Sequence, residues 1–233
     1  MSNIIFGPLN SRRLGTSLGV NLIPYKTCTL DCVYCEAGAT TDLTMDKKPF
    51  YSCDQVITEL SDFLSDKPKL DYITFSGLGE PTLNSDIGDI IKTIKSKWSE
   101  YKLCLITNST LLNDDLLSCD LIMPSLDAVS DEAFQKINRP HHDLKPYEMI
   151  ESLTSFRKRF KNQMWLEIFF LEGINDTNTE LTQLKKACEK INPDKIQINS
   201  LDRPGLFNWV KKVPQNRLKE IQDYFKPLNA VIV

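Results

Sequence analysis

Lys26-Thr27-Cys28-Thr29-Leu30-Asp31-Cys32-Val33-Tyr34-Cys35-Glu36 places three thiols in a C-x3-C-x2-C run. Three thiolates packed this closely can wrap one face of a small inorganic cluster. A [4Fe–4S] cube ordinarily takes four protein ligands, and no fourth cysteine stands near this run. The spacing points to a cube with one iron left open to a cofactor, which separates a catalyst from an electron carrier. The competing reading is zinc, which takes four ligands and usually pairs one C-x2-C with another. Cys53, Cys104, Cys119 and Cys188 are isolated and form no second pair. Cys104 and Cys188 fall at core-facing positions, where free cysteine behaves as a small hydrophobe. The same isolation argues against an auxiliary cluster.

Outward from the cysteines, the chain alternates short β-branched runs with amphipathic stretches. Gly19–Pro24, Tyr72–Phe75, Leu103–Ile106, Leu121–Met123, Trp165–Phe170 and Lys195–Ile198 read as strands. Between them, apolar residues recur at helical spacing, as in Val56, Ile57, Leu60, Phe63 and Leu64. Asn84 or Ser85 is the expected cap of the helix carrying Ile87, Ile90, Ile91 and Ile94, and Asn175-Asp176 is a ready cap further on. Ala230–Val233 reads equally as an edge strand or a tail. Repeated strand–helix alternation implies a parallel sheet with right-handed crossovers. Six units are fewer than the eight of a closed barrel. The expected fold is therefore α/β, a partial (β/α)6 barrel, with residues 1–233 forming one domain.

At 233 residues the chain is long enough for one substantial core. Its net charge of −3 suggests no broad nucleic-acid face, although an acidic average leaves room for a local basic patch. Met1-Ser2-Asn3 lacks a basic leader region, and no apolar run is long enough to span a bilayer. Seven cysteines with no leader fit a reducing cytoplasm, where clustered thiols usually bind metal.

Further motifs fall at predicted strand ends, where parallel βα folds bind ligands. They are Phe75-Ser76-Gly77-Leu78-Gly79-Glu80-Pro81-Thr82-Leu83, Thr107-Asn108-Ser109, Pro124-Ser125-Leu126-Asp127-Ala128, Gly173-Ile174-Asn175-Asp176 and Gln197-Ile198-Asn199-Ser200-Leu201-Asp202-Arg203-Pro204. Phe6-Gly7-Pro8, Ser11-Arg12-Arg13-Leu14-Gly15 and Ile137-Asn138-Arg139-Pro140-His141 complete the set. With Tyr34 in the aromatic slot before Cys35, the chain resembles the radical S-adenosylmethionine (SAM) superfamily, whose signature is C-x3-C-x-aromatic-C. Within it, these motifs are similar to a branch grouped with the wyosine-tRNA synthetase-like proteins.

The resemblance implies the radical SAM partial barrel and a [4Fe–4S] cluster held by Cys28, Cys32 and Cys35. It implies SAM chelating the open iron, and an electron from flavodoxin or ferredoxin that cleaves SAM to methionine and a 5′-deoxyadenosyl radical. The radical then abstracts hydrogen from a substrate. Gly77, Gly79 and Glu80 resemble the glycine-glycine-glutamate motif that holds the SAM amino group, although Leu78 separates the glycines here. Ser125 and Asp127 resemble the residues that bond the ribose hydroxyls, with helix capping as the alternative for Asp127. Asn108 is a candidate for the SAM carboxylate. Tyr34 and Leu201 are candidates to flank adenine, and Ile174 to add apolar contact.

Arg12, Arg13, Lys26, Arg139, His141, His142 and Arg203 are cations near predicted loops. Singly, each reads as a solvated charge or ion-pair partner; as a set they suit an anionic substrate, with His141 also a candidate proton donor. Three functions follow from these readings. One is RNA-base modification, against which stands the second cluster motif that full wyosine enzymes carry and this chain lacks. Another is an activase or peptide-modifying enzyme acting on a protein. The third is a non-catalytic Fe–S electron-transfer or metal-binding protein.

Overall fold

The computed structural model describes residues 4–202 and 207–233. The chain opens with a hairpin of β1 (Ile5–Ser11) and β2 (Gly15–Val20); β3 (Thr27–Cys28) and β4 (Asp42–Leu43) then bracket the cysteine loop. Next come α1 (Cys53–Leu64), β5 (Tyr72–Phe75), α2 (Ile87–Lys97), β6 (Lys102–Thr107) and β7 (Leu121–Pro124). The rest is α3 (Asp131–Asn138), α4 (Pro146–Arg159), β8 (Gln163–Phe170), α5 (Asn178–Ile191), β9 (Lys195–Ser200), α6 (Gln215–Phe225) and β10 (Ala230–Ile232).

The main sheet runs β1-β2-β5-β6-β7-β8-β9-β10. Every pair from β2 to β10 is parallel, and only β1 runs antiparallel. Side chains alternate across a strand. Ile73, Phe75, Leu103, Leu105, Leu166, Ile168, Ile196 and Ile198 therefore share the face that packs on the helices as the main core. Tyr72, Cys104, Ile106, Met123 and Trp165 share the other face. At about 4.8 Å per strand, β2 and β8, four places apart, would sit roughly 19 Å apart in a flat sheet. Yet Arg13, in the β1–β2 turn, pairs with Glu167 of β8 and donates to Gln197 of β9 at 3.2 Å. The sheet must curl to bring them together, so it forms an open trough: the expected partial barrel, extended by one strand at each edge.

The first strand departs from expectation. It covers Gly15–Val20 rather than Gly19–Pro24, because β1 pairs along it and ends the ladder at Val20. Asn21 then turns its side chain to accept the backbone N–H of Leu78 at 3.1 Å. Neither Asn84 nor Ser85 caps α2; the cap position is Asp86, and Asn84 is spent donating to the carbonyls of Leu22 and Tyr51. Thr177 caps α5, since Asn175 is committed to a buried network. Ala230–Ile232 is an edge strand.

Candidate cofactor site at the cysteine loop

Two flanks hold the cysteine loop. On one, a backbone ladder joins it to the end of α3: Asp31 and Val33 donate to the carbonyls of Asn138 and Ile137, each at 2.9 Å, and the N–H of His141 reaches Thr29 O at 2.9 Å. The Ile137–His141 motif is thus a docking rail for the thiols. Arg139 turns the rail with a left-handed φ of 42°. On the other flank, the N–H of Glu80 donates to Thr27 O at 3.1 Å. A Cβ on Gly79 would lie 2.1 Å from that same carbonyl, so only glycine allows the approach. Gly77 sits at φ +130° against Asn21, again a glycine position.

Each cysteine sulfur faces a different side-chain donor. Lys26 Nζ lies 3.0 Å from Cys35 Sγ, Asn108 Nδ2 lies 3.4 Å from Cys28 Sγ, and Asn138 Nδ2 lies 3.3 Å from Cys32 Sγ. Burial, with the Glu80 charge adding to it, pushes the Cys28 thiol up to about 11. Burial and the Asp127 charge raise Cys32 well above its ordinary value. A bound metal would hold both as thiolates, since coordination deprotonates a thiol outright. Structural zinc takes four protein ligands, and this loop offers three sulfurs, each with its own side-chain donor. The other cysteines lie elsewhere: Cys104, Cys119 and Cys188 are fully buried, and Cys53 sits beside Thr93.

Behind the loop, Asp127 is 4% exposed and gathers three donors. Tyr34 Oη donates at 2.6 Å, Asn138 Nδ2 at 2.7 Å and the N–H of Phe169 at 2.9 Å. Burial raises the Asp127 carboxyl to about 6, and these hydrogen bonds hold it from going higher. Tyr34, Asn108, Ser125, Asp127 and Asn138 line one small cavity. Asn138 Oδ1 is buried there without a hydrogen-bond partner among the described residues; such an orphaned acceptor is costly unless a ligand fills the place. Tyr34, Ile174 and Leu201 meet in one apolar cluster with Phe169, on which Tyr34 stacks. Tyr34, Asn108, Ser125, Asp127, Ile174 and Leu201 thus gather around the thiol loop.

Glu80 is placed differently from its expected role. It is 2% exposed, and its carboxylate accepts from Thr82 twice, from the Thr107 hydroxyl at 2.6 Å and from the Asn108 N–H at 2.8 Å. Burial raises its pKa, and these four bonds oppose the rise. The side chain is spent fastening the ends of β5 and β6 together.

The cations expected on a substrate rim scatter. Arg13 is consumed by Glu167, which bridges Ser125, and by Gln197; Arg12 pairs with Asp202 at 2.8 Å, one residue past Leu201. Arg139 does sit at the loop, 3.5 Å from Asp31 and over the Phe207 ring. His141 stacks on His142 and faces Asp143. Arg203 lies outside the described residues. Asn138 stood in the sequence only as part of the Ile137–His141 motif, with no contact assigned to it. Lys26 appeared there only as one cation among seven.

A curled parallel sheet with a three-thiol loop after its first parallel strand defines a class: a partial βα barrel built to hold a metal cluster at its strand ends. Residues 22–184 match the family described as the Radical SAM superfamily, and the chain belongs to it. A protein of Brachyspira hyodysenteriae named GTPase Obg is 38% identical over 95% of this chain, which spans 33% of that protein. UPF0026 protein MJ1312 of Methanocaldococcus jannaschii is 33% identical over 89% of this chain and 66% of its own length. The chain thus spans a third of one of these relatives and about two thirds of the other. A probable dual-specificity RNA methyltransferase RlmN of Endomicrobium trichonymphae is 25% identical over 82% of the chain and 55% of that relative.

Among solved structures, a radical SAM methyltransferase from Sphaerobacter thermophilus shares the fold at a TM-score of 0.68 and 14% identity, over 93% of this chain and 65% of that one. Streptococcus suis SuiB bound to S-adenosylmethionine follows at 0.67 and 15%, over 92% and 50%. Membership brings the expected cofactor pair, a [4Fe–4S] cluster and SAM. No helix among the described residues is long and apolar enough to cross a membrane.

Proposed function

We propose that this chain is the radical-forming core of an enzyme that modifies an RNA base. The observation that carries the radical SAM chemistry is the arrangement of Cys28, Cys32 and Cys35, each with its own N–H donor, beside a cavity holding the orphaned Asn138 oxygen. When bound, the cluster and SAM supply a 5′-deoxyadenosyl radical that takes hydrogen from the substrate. The chain's own residues do the rest. Asn108 and Asn138 face both the thiols and the cavity, so they orient whatever bridges the two. Ser125 and Asp127 offer acceptors for ribose hydroxyls, with Asp127 steadied by Tyr34. Tyr34, Ile174 and Leu201 give adenine an apolar seat and exclude water. Gly77 and Gly79 let Asn21 and the Thr27 carbonyl pack against their backbone, which sets the loop beside Cys28, and Glu80 fixes the strand ends behind it.

For the substrate, support comes from the relative named as an RNA methyltransferase and from the side of the site itself. Arg139 lies over Phe207, and Phe207 stacks towards the 43%-exposed Trp209. Single-stranded RNA is read by stacking bases on aromatic rings and arginine planes. Flavodoxin or ferredoxin is the proposed electron donor. The test is anaerobic reconstitution followed by SAM and dithionite, with 5′-deoxyadenosine measured alone and with RNA, protein or small-molecule fractions of a cell extract. SAM cleavage that RNA stimulates is the expected result. Stimulation by the protein fraction alone would replace RNA with a peptide substrate, and no 5′-deoxyadenosine at all would overturn the radical reading.

A further inference from the structure

Lys26 is an unusual lysine. Its residue is 7% exposed, and its amine has Cys35 Sγ at 3.0 Å. Among the described residues it forms no salt bridge with a carboxylate, and its amine faces the Cys35 sulfur. A buried ammonium without a counter-charge is costly, so the site is arranged around an anion supplied by the thiol loop. The base of the side chain is clamped as well. The Lys26 carbonyl accepts from the N–H groups of Thr41 and Asp42 at 3.0 and 3.2 Å, and from the Thr41 hydroxyl at 3.0 Å. The amine is thus aimed at Cys35 before anything binds. Asn108 and Asn138 complete the set with neutral donors to the other two sulfurs.

Given a cluster on these cysteines, as proposed above, we propose that Lys26 is its resident counter-cation and sets its reduction potential. One electron from an external reductant adds one negative charge to the cluster, and no bond forms or breaks. A fixed positive charge beside a ligand sulfur, out of water, favours the reduced form over the oxidised one. Hydrogen bonds to the sulfurs and the net charge of the site are established levers on such potentials. Lys26 supplies both, whereas Asn108 and Asn138 supply only hydrogen bonds. Lys26 is therefore a positioning residue: it acts on the reacting centre through Cys35.

The test is anaerobic reconstitution of the full chain as wild type, Lys26→Met, Lys26→Gln and Lys26→Arg. Iron is counted, and the potential is measured by EPR-monitored titration without SAM. Both neutral variants should load iron and become harder to reduce by roughly tenfold in the equilibrium, about 59 mV for one electron. Lys26→Arg should stay near wild type. Neutral variants that load iron at the wild-type potential would overturn the proposal. So would neutral variants that take no iron, because Lys26 would then serve assembly and not potential. A wild-type chain that takes no iron would overturn the cluster reading itself, and this role with it.

Discussion

The Tyr34 hydroxyl donates to the Asp127 carboxylate at 2.6 Å, tying the aromatic slot of the cysteine motif to the loop after β7. Asp127 is buried, and its carboxyl is raised from 3.8 to about 6. A carboxyl raised on folding favours the folded state while protonated, and that advantage is lost as pH climbs from about 4 through 6. The loss is on the order of 3 kcal/mol. The stability of the metal-free wild type relative to Asp127→Asn should therefore fall across that window. Tyr34→Phe removes a bond that lowers the Asp127 value, so the window should move to higher pH. Urea melts of the three proteins at several pH values measure this, and parallel curves would contradict it.

Glu80→Gln should cost stability before it costs SAM affinity. The new amide would point N–H at some of the donors now satisfied by Glu80, leaving buried groups unpaired, at about 1–3 kcal/mol or more. Denaturant unfolding of the metal-free chain reads this directly. A variant as stable as wild type that binds SAM poorly would return Glu80 to the cofactor.

Gly79→Ala should disturb the thiols without touching them. Its methyl would collide with the Thr27 carbonyl, one residue before Cys28, and that neighbour is backbone and cannot swing aside. Reduced iron uptake with near-normal circular dichroism is the expected result, and full iron uptake would count against the clamp.

Alanine at Cys28, Cys32 or Cys35 should abolish iron binding. Alanine at Cys53, Cys104, Cys119 and Cys188 together should leave about four irons per folded chain, one cube. Fewer irons on the folded quadruple variant would reveal a second cluster.

Arg12 and Arg13 should separate by stability. Arg13→Met strands Glu167, only 16% exposed at its side chain, and breaking a buried pair in this way costs about 3–5 kcal/mol at its most severe. Arg12 and Asp202 are 76% and 53% exposed, so Arg12→Ala should cost under about 1 kcal/mol. Chemical denaturation of both variants compares them, and equal losses would remove the distinction.

Periodicity revealed the parallel strands because residues such as Ile73 and Phe75 or Ile196 and Ile198 alternate with neighbours on the opposite face. β1 escaped because Phe6-Gly7-Pro8 breaks alternation at a register shift between Phe6 and Leu9. The cysteines were legible because ligand spacing is local. Asn138 and Lys26 were not, because what distinguishes them is distance: a sulfur 106 residues away in sequence for one, and burial without a carboxylate for the other. The partners of Glu80 and Arg13 were hidden for the same reason. A sequence shows charge, but not whether a partner deep in the fold has already claimed it.

The trough of the sheet has one seam of a different kind. Elsewhere its wall is a continuous backbone ladder, and parting neighbouring strands there would strip several peptide bonds from their partners at once. Between the hairpin turn and β8–β9, the described residues are joined by side chains, Arg13 to Glu167 and Gln197, with Arg12 to Asp202 just outside. Side chains re-form their contacts after rotating about single bonds, with no strand needing to find its register again. Breaking this brace therefore costs side-chain bonds alone and leaves every strand register of the sheet in place.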